Sequence, residues 1–317
     1  MKGSNLAILL IILMVLLTAS LSGCGSQEPG TIKMALLPIV DVLPMYVAEQ
    51  NGYFEAEGIQ VELVPVKSGQ ERDALMQANE VDGMLTDLQG VGLFNREEVQ
   101  VKALIMARKA YLDSPLFRLL AAPGSDIDDI SDLAGVKIGV GKNTVIEYLT
   151  DRMLEKSGLS ADQITVENIA AIPVRFEQLM NGQIMAATLP DPLASGAIAA
   201  GAKLIVDDSQ FTEYSQSVLA FSLKTIKEKP ETLKKFLTAW NKAVTDLNAN
   251  PAAYDDLLIE KGRVPESVQG SYAMPPFPEG EITSEAQWAD VVRWLMDKGL
   301  LEREIPYEEA VDTSFLQ

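Results

Sequence analysis

LMQANEVDGMLTD (residues 75–87) and LMNGQIMAATLPD (residues 179–191) decide the fold, because the second stretch repeats the first 104 positions later without a gap. Leu75-Met76 answer to Leu179-Met180, and Asp87 to Asp191; further out, Lys33 and Lys137 keep the same separation. Ahead of the first copy, Ile32–Leu37 is a short apolar run suited to a buried strand. The loop 38–43 follows, and Pro44 fits the first turn of a helix through Tyr46, Val47 and Ala48. Gly52 ends that helix, and Ile59–Val64 alternates as a strand. A helix over 71–78 and a strand over Val81–Leu85 complete βαβαβ, the order of a parallel sheet covered by helices. The second half repeats it: strand 136–141, helix 144–155, a strand within 164–174, helix 175–180 and strand 185–189. The spacing predicts an α/β protein of two similar halves.

Leu116–Ala122 and Val218–Leu223 are strand-like and sit between the halves, so they are expected to cross from one to the other and form a hinge. That makes the first lobe discontinuous, 31–118 with 219–317, and the second an insertion, 119–218. From Thr225 onward the chain reads as mainly helical. Leu233, Phe236, Leu237, Trp240 and Val244 fall on one helical face, a core stripe.

Composition narrows the function classes. With 45 acids against 26 bases, a net charge of −19, the chain has no basic surface for phosphates, so no nucleic-acid partner is expected. There is no histidine and one cysteine, Cys24. Ser-His-Asp and Cys-His catalysis are excluded, as are internal disulfides and cysteine zinc sites. No residue pattern calls for a cofactor or a metal, and no carboxylate pair has diagnostic catalytic spacing. The chain therefore reads as a non-enzyme; a lyase or dehydratase using Asp or Glu is the catalytic alternative.

At the amino terminus, Lys2 precedes an apolar run from Leu6 to Leu17, followed by Leu21-Ser22-Gly23-Cys24. A charged start, a short apolar segment and small residues at a cut site describe a secretory signal over 1–23. Twelve apolar residues are short for a spanning helix, which needs about 20. The tetrapeptide resembles the bacterial lipoprotein signal, which implies lipidation of Cys24 and attachment outside the cytoplasm to the bacterial cell membrane. Residues 24–30 read as a flexible tether.

Several motifs together resemble the type II periplasmic-binding fold, and within it the NMT1/THI5-like group that binds alkanesulfonates, taurine, nitrate and thiamine pyrimidines. They are Ala48-Glu49-Gln50-Asn51-Gly52-Tyr53-Phe54, Glu57-Gly58-Ile59-Gln60-Val61, Ser68-Gly69, Asp82-Gly83, Asp132–Val140, Gly182 and Pro190-Asp191-Pro192. The resemblance spans about residues 31–315. It implies an extracytoplasmic receptor that hands a small solute to the permease and ATPase subunits of an ABC importer, as a monomer; a sensor lipoprotein for a signalling partner is the other receptor reading. The group's enzymes that consume their own histidine are excluded by composition.

In open α/β sheets ligands bind beyond the carboxyl ends of the strands. That rule selects the loops 38–43, 67–70 and 86–89 in the first half and 141–144, 173–175 and 189–191 in the second. The candidate ligand residues are Asp41, Leu43, Ser68, Thr86, Asp87, Asn143, Thr144, Arg175 and Asp191, with Ser114 on the hinge side. Asp41, Asp87 and Asp191 suit an amine or an NH-rich heterocycle. Arg175 beside a helix N-terminus suits a sulfonate, phosphate or carboxylate. Thr144, Asp87 and Asp191 also have the chemistry of helix caps.

Overall fold

A computed structural model describes residues 30–316. The expected signal segment, most of the tether and the lipidation of Cys24 lie outside the described residues. Gly30 is already the first residue of a strand. The strands are β1 (Gly30–Leu36), β2 (Ile59–Pro65), β3 (Gly83–Thr86), β4 (Val101–Lys109), β5 (Phe117–Ala121), β6 (Lys137–Val140), β7 (Thr165–Asn168), β8 (Ala186–Pro190), β9 (Lys203–Asp207) and β10 (Gln216–Ser222). They form two five-stranded sheets, ordered β2-β1-β3-β10-β4 and β7-β6-β8-β5-β9. In the first, β1 and β3 run parallel while β10 is antiparallel to β3 and β4. In the second, β6 runs parallel to β7 and β8 while β5 is antiparallel to β8 and β9. Each half thus carries one reversed strand at the same place in its order.

Side-chain alternation along the strands puts a core on both faces of each sheet. In β10, Leu219 and Phe221 face one core with Phe236 and Trp240, while Val218 and Ala220 face the other with Trp288 and Leu295. In β5, Leu119 and Ala121 face one core and Leu120 the opposite one. The helix Pro230–Ala249 buries the stripe read from its spacing.

The repeat carries a one-residue adjustment that the ungapped alignment hides. Asn79 adopts a left-handed φ of 57° after the first half's helix Gly69–Gln77, and Gly182 does so at 65° after Ile172–Met180, 103 positions on. β8 is one residue longer than β3, which restores the spacing by Asp191. Both residues provide the αL exit that ends a helix.

The expected crossing strands are each embedded in a single sheet. β5 is bonded on both sides within the second, and β10 on both sides within the first. Their ladder groups are fully used there, so the chain crosses in the loops just before them, 110–116 and 208–215. The expected boundaries at 118/119 and 218/219 fall inside β5 and β10. One buried carboxylate ties the two crossings: Asp208 accepts from the Leu116 amide at 2.8 Å, the Phe117 amide at 3.1 Å and the Ser215 hydroxyl at 2.5 Å. Its complete burial pushes its pKa up to about 6, against the pull of those three donors.

Candidate solute-binding cleft

Asp41 lies in the 3₁₀ turn Val40–Val42 after β1, directly before the helix Leu43–Gln50 with Pro44 in its first turn. The Ser217 hydroxyl donates to Asp41 at 2.6 Å, and Arg108 lies 3.7 Å from its second oxygen. Ser217 and Arg108 are opposite one another in the β10–β4 ladder, so Asp41 sits over a cross-strand pair. The Arg108 guanidinium also lies 5.7 Å from the centroid of the Phe277 ring.

The second half supplies a matching acid. Asp191, immediately after β8, pairs with Arg118 of β5 at 2.7 Å. Its other oxygen accepts from the Ser195 amide at 2.9 Å and hydroxyl at 2.7 Å. Burial raises the Asp191 pKa; Arg118, the Ser195 bonds and Arg108 work in the opposite direction. Tyr272, from the irregular segment after Val268, is pushed up to about 12, chiefly by burial, within the fields of Arg108, Asp191 and Arg118. Of these residues Asp41, Arg108 and Asp191 are buried, while Arg118 and Tyr272 are partly exposed.

A second contact joins the halves. Asp87 caps the helix Leu88–Phe94 through the Gly90 amide at 2.7 Å. Its other oxygen accepts from the Val145 amide at 3.2 Å. Val145 opens the helix Val145–Lys156 of the second half, whose N-cap is Thr144. A carboxylate of one half therefore meets the positive end of a helix of the other. Burial raises the Asp87 pKa, partly offset by Arg72 and by the two backbone bonds.

The remaining candidates divide. Thr86 is buried at the end of β3 with its hydroxyl lacking a partner among the described residues, as is the Gln89 carbonyl oxygen beyond it. Arg175 lies in the first turn of the helix Ile172–Met180, not in a loop, because Pro173 fits that turn. Its guanidinium is wholly buried and donates from Nη1 to the Ile169 carbonyl at 2.6 Å; Nε and Nη2 have no partner among the described residues. Desolvation lowers its pKa to about 10. A side chain at Gly141 would lie 3.7 Å from Arg175 Nη1, which places the guanidinium under the loop that leads to Thr144. Asn143 is exposed with φ of 63°, and its amide is taken by Glu147. Ser68 is an exposed cap for the Glu71 amide. Leu43 is packed in the first-half core. Ser114 closes a turn with Tyr111.

Arg108, Arg118, Ser217 and Tyr272 escaped the loop-based reading. The first two are charges inside the apolar runs ALIMARK and LFRLLAA. A charge in a buried strand demands a partner, and that was the available signal. Nε and Nη1 of Arg108 and Nε of Arg118 lack acceptors among the described residues. No helix there is long and apolar enough to cross a membrane.

Comparison with known proteins agrees with this architecture. The chain is 23% identical over 318 residues to the riboflavin-binding protein RibY of Chloroflexus aurantiacus, covering 90% of this chain and 85% of that protein. It is 24% identical over 330 residues to an aliphatic sulfonates-binding protein of Bacillus subtilis, covering 97% and 95%. The solved periplasmic aliphatic sulphonate binding protein SsuA of Escherichia coli superposes with a TM-score of 0.75 at 16% identity, over 89% of this chain and 97% of that one. At that identity the match establishes the shared two-lobed fold. The family model described as NMT1/THI5 like matches residues 39–254, most of the folded part, and the chain belongs to that family.

Proposed function

We propose that this chain is the extracytoplasmic solute-binding subunit of an ABC importer, which captures a small polar solute between its two halves and delivers it to a permease. The observation that carries the reading is a pair of matching charge pairs at the strand ends, Asp41–Arg108 in the first half and Asp191–Arg118 in the second, with Asp41, Arg108 and Asp191 buried and Arg118 partly so. The two relatives matched over at least 90% of this chain are named as binding proteins, which supports a binding role; a third, matched over 39% of it, is named as a 4-amino-5-hydroxymethyl-2-methylpyrimidine phosphate synthase.

The halves are 31 to about 109 with 216–317, and about 117–207. The two crossings between them act as the hinge. Opening exposes the charged group, and a solute that touches both halves favours the closed form and shifts the population toward it. Asp191 is committed to Arg118 and Ser195, and Asp41 to Ser217. Arg108, whose nearest carboxylate oxygen is beyond hydrogen-bond range, has Nε and Nη1 left for a sulfonate, carboxylate or phosphate oxygen, and Nε of Arg118 also lacks an acceptor among the described residues. Closure removes water and strengthens that contact. Lipidation at Cys24 would hold the monomeric receptor at the membrane beside its permease, with a second contact reinforcing the single anchor.

A thermal-shift panel of ethanesulfonate, riboflavin and 4-amino-5-hydroxymethyl-2-methylpyrimidine tests the reading, since a ligand of the folded state raises the midpoint. Mass spectrometry of copurifying small molecules accompanies it. A raised midpoint with no turnover of the bound compound is the expected result. Turnover would assign an enzyme instead, and no response together with no copurifying solute would reject solute capture.

A further inference from the structure

One contact region is unrelated to the charged group and is built across the same two halves. The helix Val145–Lys156 belongs to the second half, and Glu285–Asp297 packs on Leu88–Phe94 in the first. Tyr148 leaves its own half: it is buried in the first-half core with Trp288 and Trp294, its ring edge-on to Trp294 at 5.5 Å between centroids. Its hydroxyl donates to Asp290 at 2.7 Å, and Arg152, one turn along the helix, donates to the same oxygen at 2.8 Å. Trp294 Nε1 donates to Asp151 at 2.8 Å. Lys298 bridges Asp151 at 2.8 Å and Glu147 at 3.2 Å. Glu147 and Asp151 are almost wholly buried, so separating the helices would leave two acids facing each other across one helical turn.

We propose that Tyr148, Asp151 and Arg152 of the second half and Asp290, Trp294 and Lys298 of the first form a closure latch that sets how tightly a solute is held without touching it. The proposal rests on the reading of the two halves as closing on a solute. Two features separate this latch from ordinary helix packing. The bonds of Tyr148 and Arg152 to Asp290, of Trp294 to Asp151 and of Lys298 to Asp151 and Glu147 are made between the halves and are lost when they part, whereas Arg152–Glu155 and Arg293–Asp290 stay within one helix. It adjoins Val145, whose amide is held by Asp87 from the cleft side, so the same helix reports both contacts. Apparent affinity scales with the fraction of molecules in the binding-competent form. A latch that favours closure therefore raises affinity with no added ligand contact.

The test is hydrogen exchange on the full chain and on two variants, Asp290→Ala and Lys298→Met. Each is expected to speed exchange in 145–148 and also in 270–277, the segment carrying Tyr272 and Phe277 beside Arg108, which makes no latch bond. Sheet-core amides of β1, β6 and β10 are expected to be unchanged, which certifies the fold. Asp290→Asn, which keeps an acceptor for Tyr148, is expected to recover most of the protection. Calorimetry with ethanesulfonate gives the second readout: binding about tenfold weaker in Asp290→Ala if the closed fraction falls tenfold. Wild type that does not bind ethanesulfonate counts against the sulfonate reading of the cleft, while hydrogen exchange still decides the latch. Faster exchange confined to the two helices, with 270–277 unchanged, overturns the latch.

Discussion

Asp208 ties the crossings, and its titration is measurable. The native state holds its carboxyl at about 6 against an ordinary 3.8, because burial opposes ionisation more than the three donors favour it. The folded chain therefore binds the Asp208 proton more tightly than the unfolded chain does. Between pH 4 and 6 the native state carries more of that proton, so stability falls as pH rises through this window and the loss is complete above it. Two pKa units at 1.36 kcal/mol each make the penalty about 3 kcal/mol at neutral pH. Asp208→Asn does not titrate. Its amide loses one acceptor among the Leu116, Phe117 and Ser215 donors, a cost that is independent of pH. Urea unfolding of both proteins from pH 4 to 7.5 isolates the effect, since every other group cancels in the difference. The stability of the wild type relative to the variant is expected to drop by about 2.4 kcal/mol over that range, the first part of the penalty being already present at pH 4. Parallel pH profiles, whatever their offset, would show that the buried carboxylate does not titrate there and would refute the reasoning.

Arg118→Met leaves Asp191 buried without its 2.7 Å partner and is expected to lower stability by about 3–5 kcal/mol in urea unfolding. Arg108→Gln is expected to weaken an oxyanion ligand by about 2 kcal/mol or more in calorimetry while sparing a neutral heterocycle. Phe236→Ala empties a fully buried site stacked on Phe54 at 5.6 Å and is expected to cost about 3–5 kcal/mol in the same unfolding assay.

Local pattern made much of this molecule legible. The repeat of 75–87 at 179–191 predicted two similar halves because equal spacing of strand, helix and turn residues is fixed by each element's own period. The stripe Leu233 to Val244 predicted the core face of a long helix for the same reason. Asp41, Asp87 and Asp191 were placed at strand carboxyl ends because those ends follow from strand order along the chain. Sequence alone also excluded histidine and disulfide chemistry, by counting.

The partners of those residues were decided only by the tertiary fold. Arg108 and Arg118 lie within apolar strands, and nothing near them in sequence says which acid each will meet. β10 reaches the first sheet after a long excursion through the second, and that return places Ser217 opposite Arg108 under Asp41. The crossings were displaced by a few residues for a related reason: a strand's membership depends on which neighbours take its hydrogen bonds, a non-local property. Tyr148 gives the clearest case. The sequence places it in the helix read over 144–155, but which half would bury it was set when Glu285–Asp297, over 130 residues later, came to lie against it.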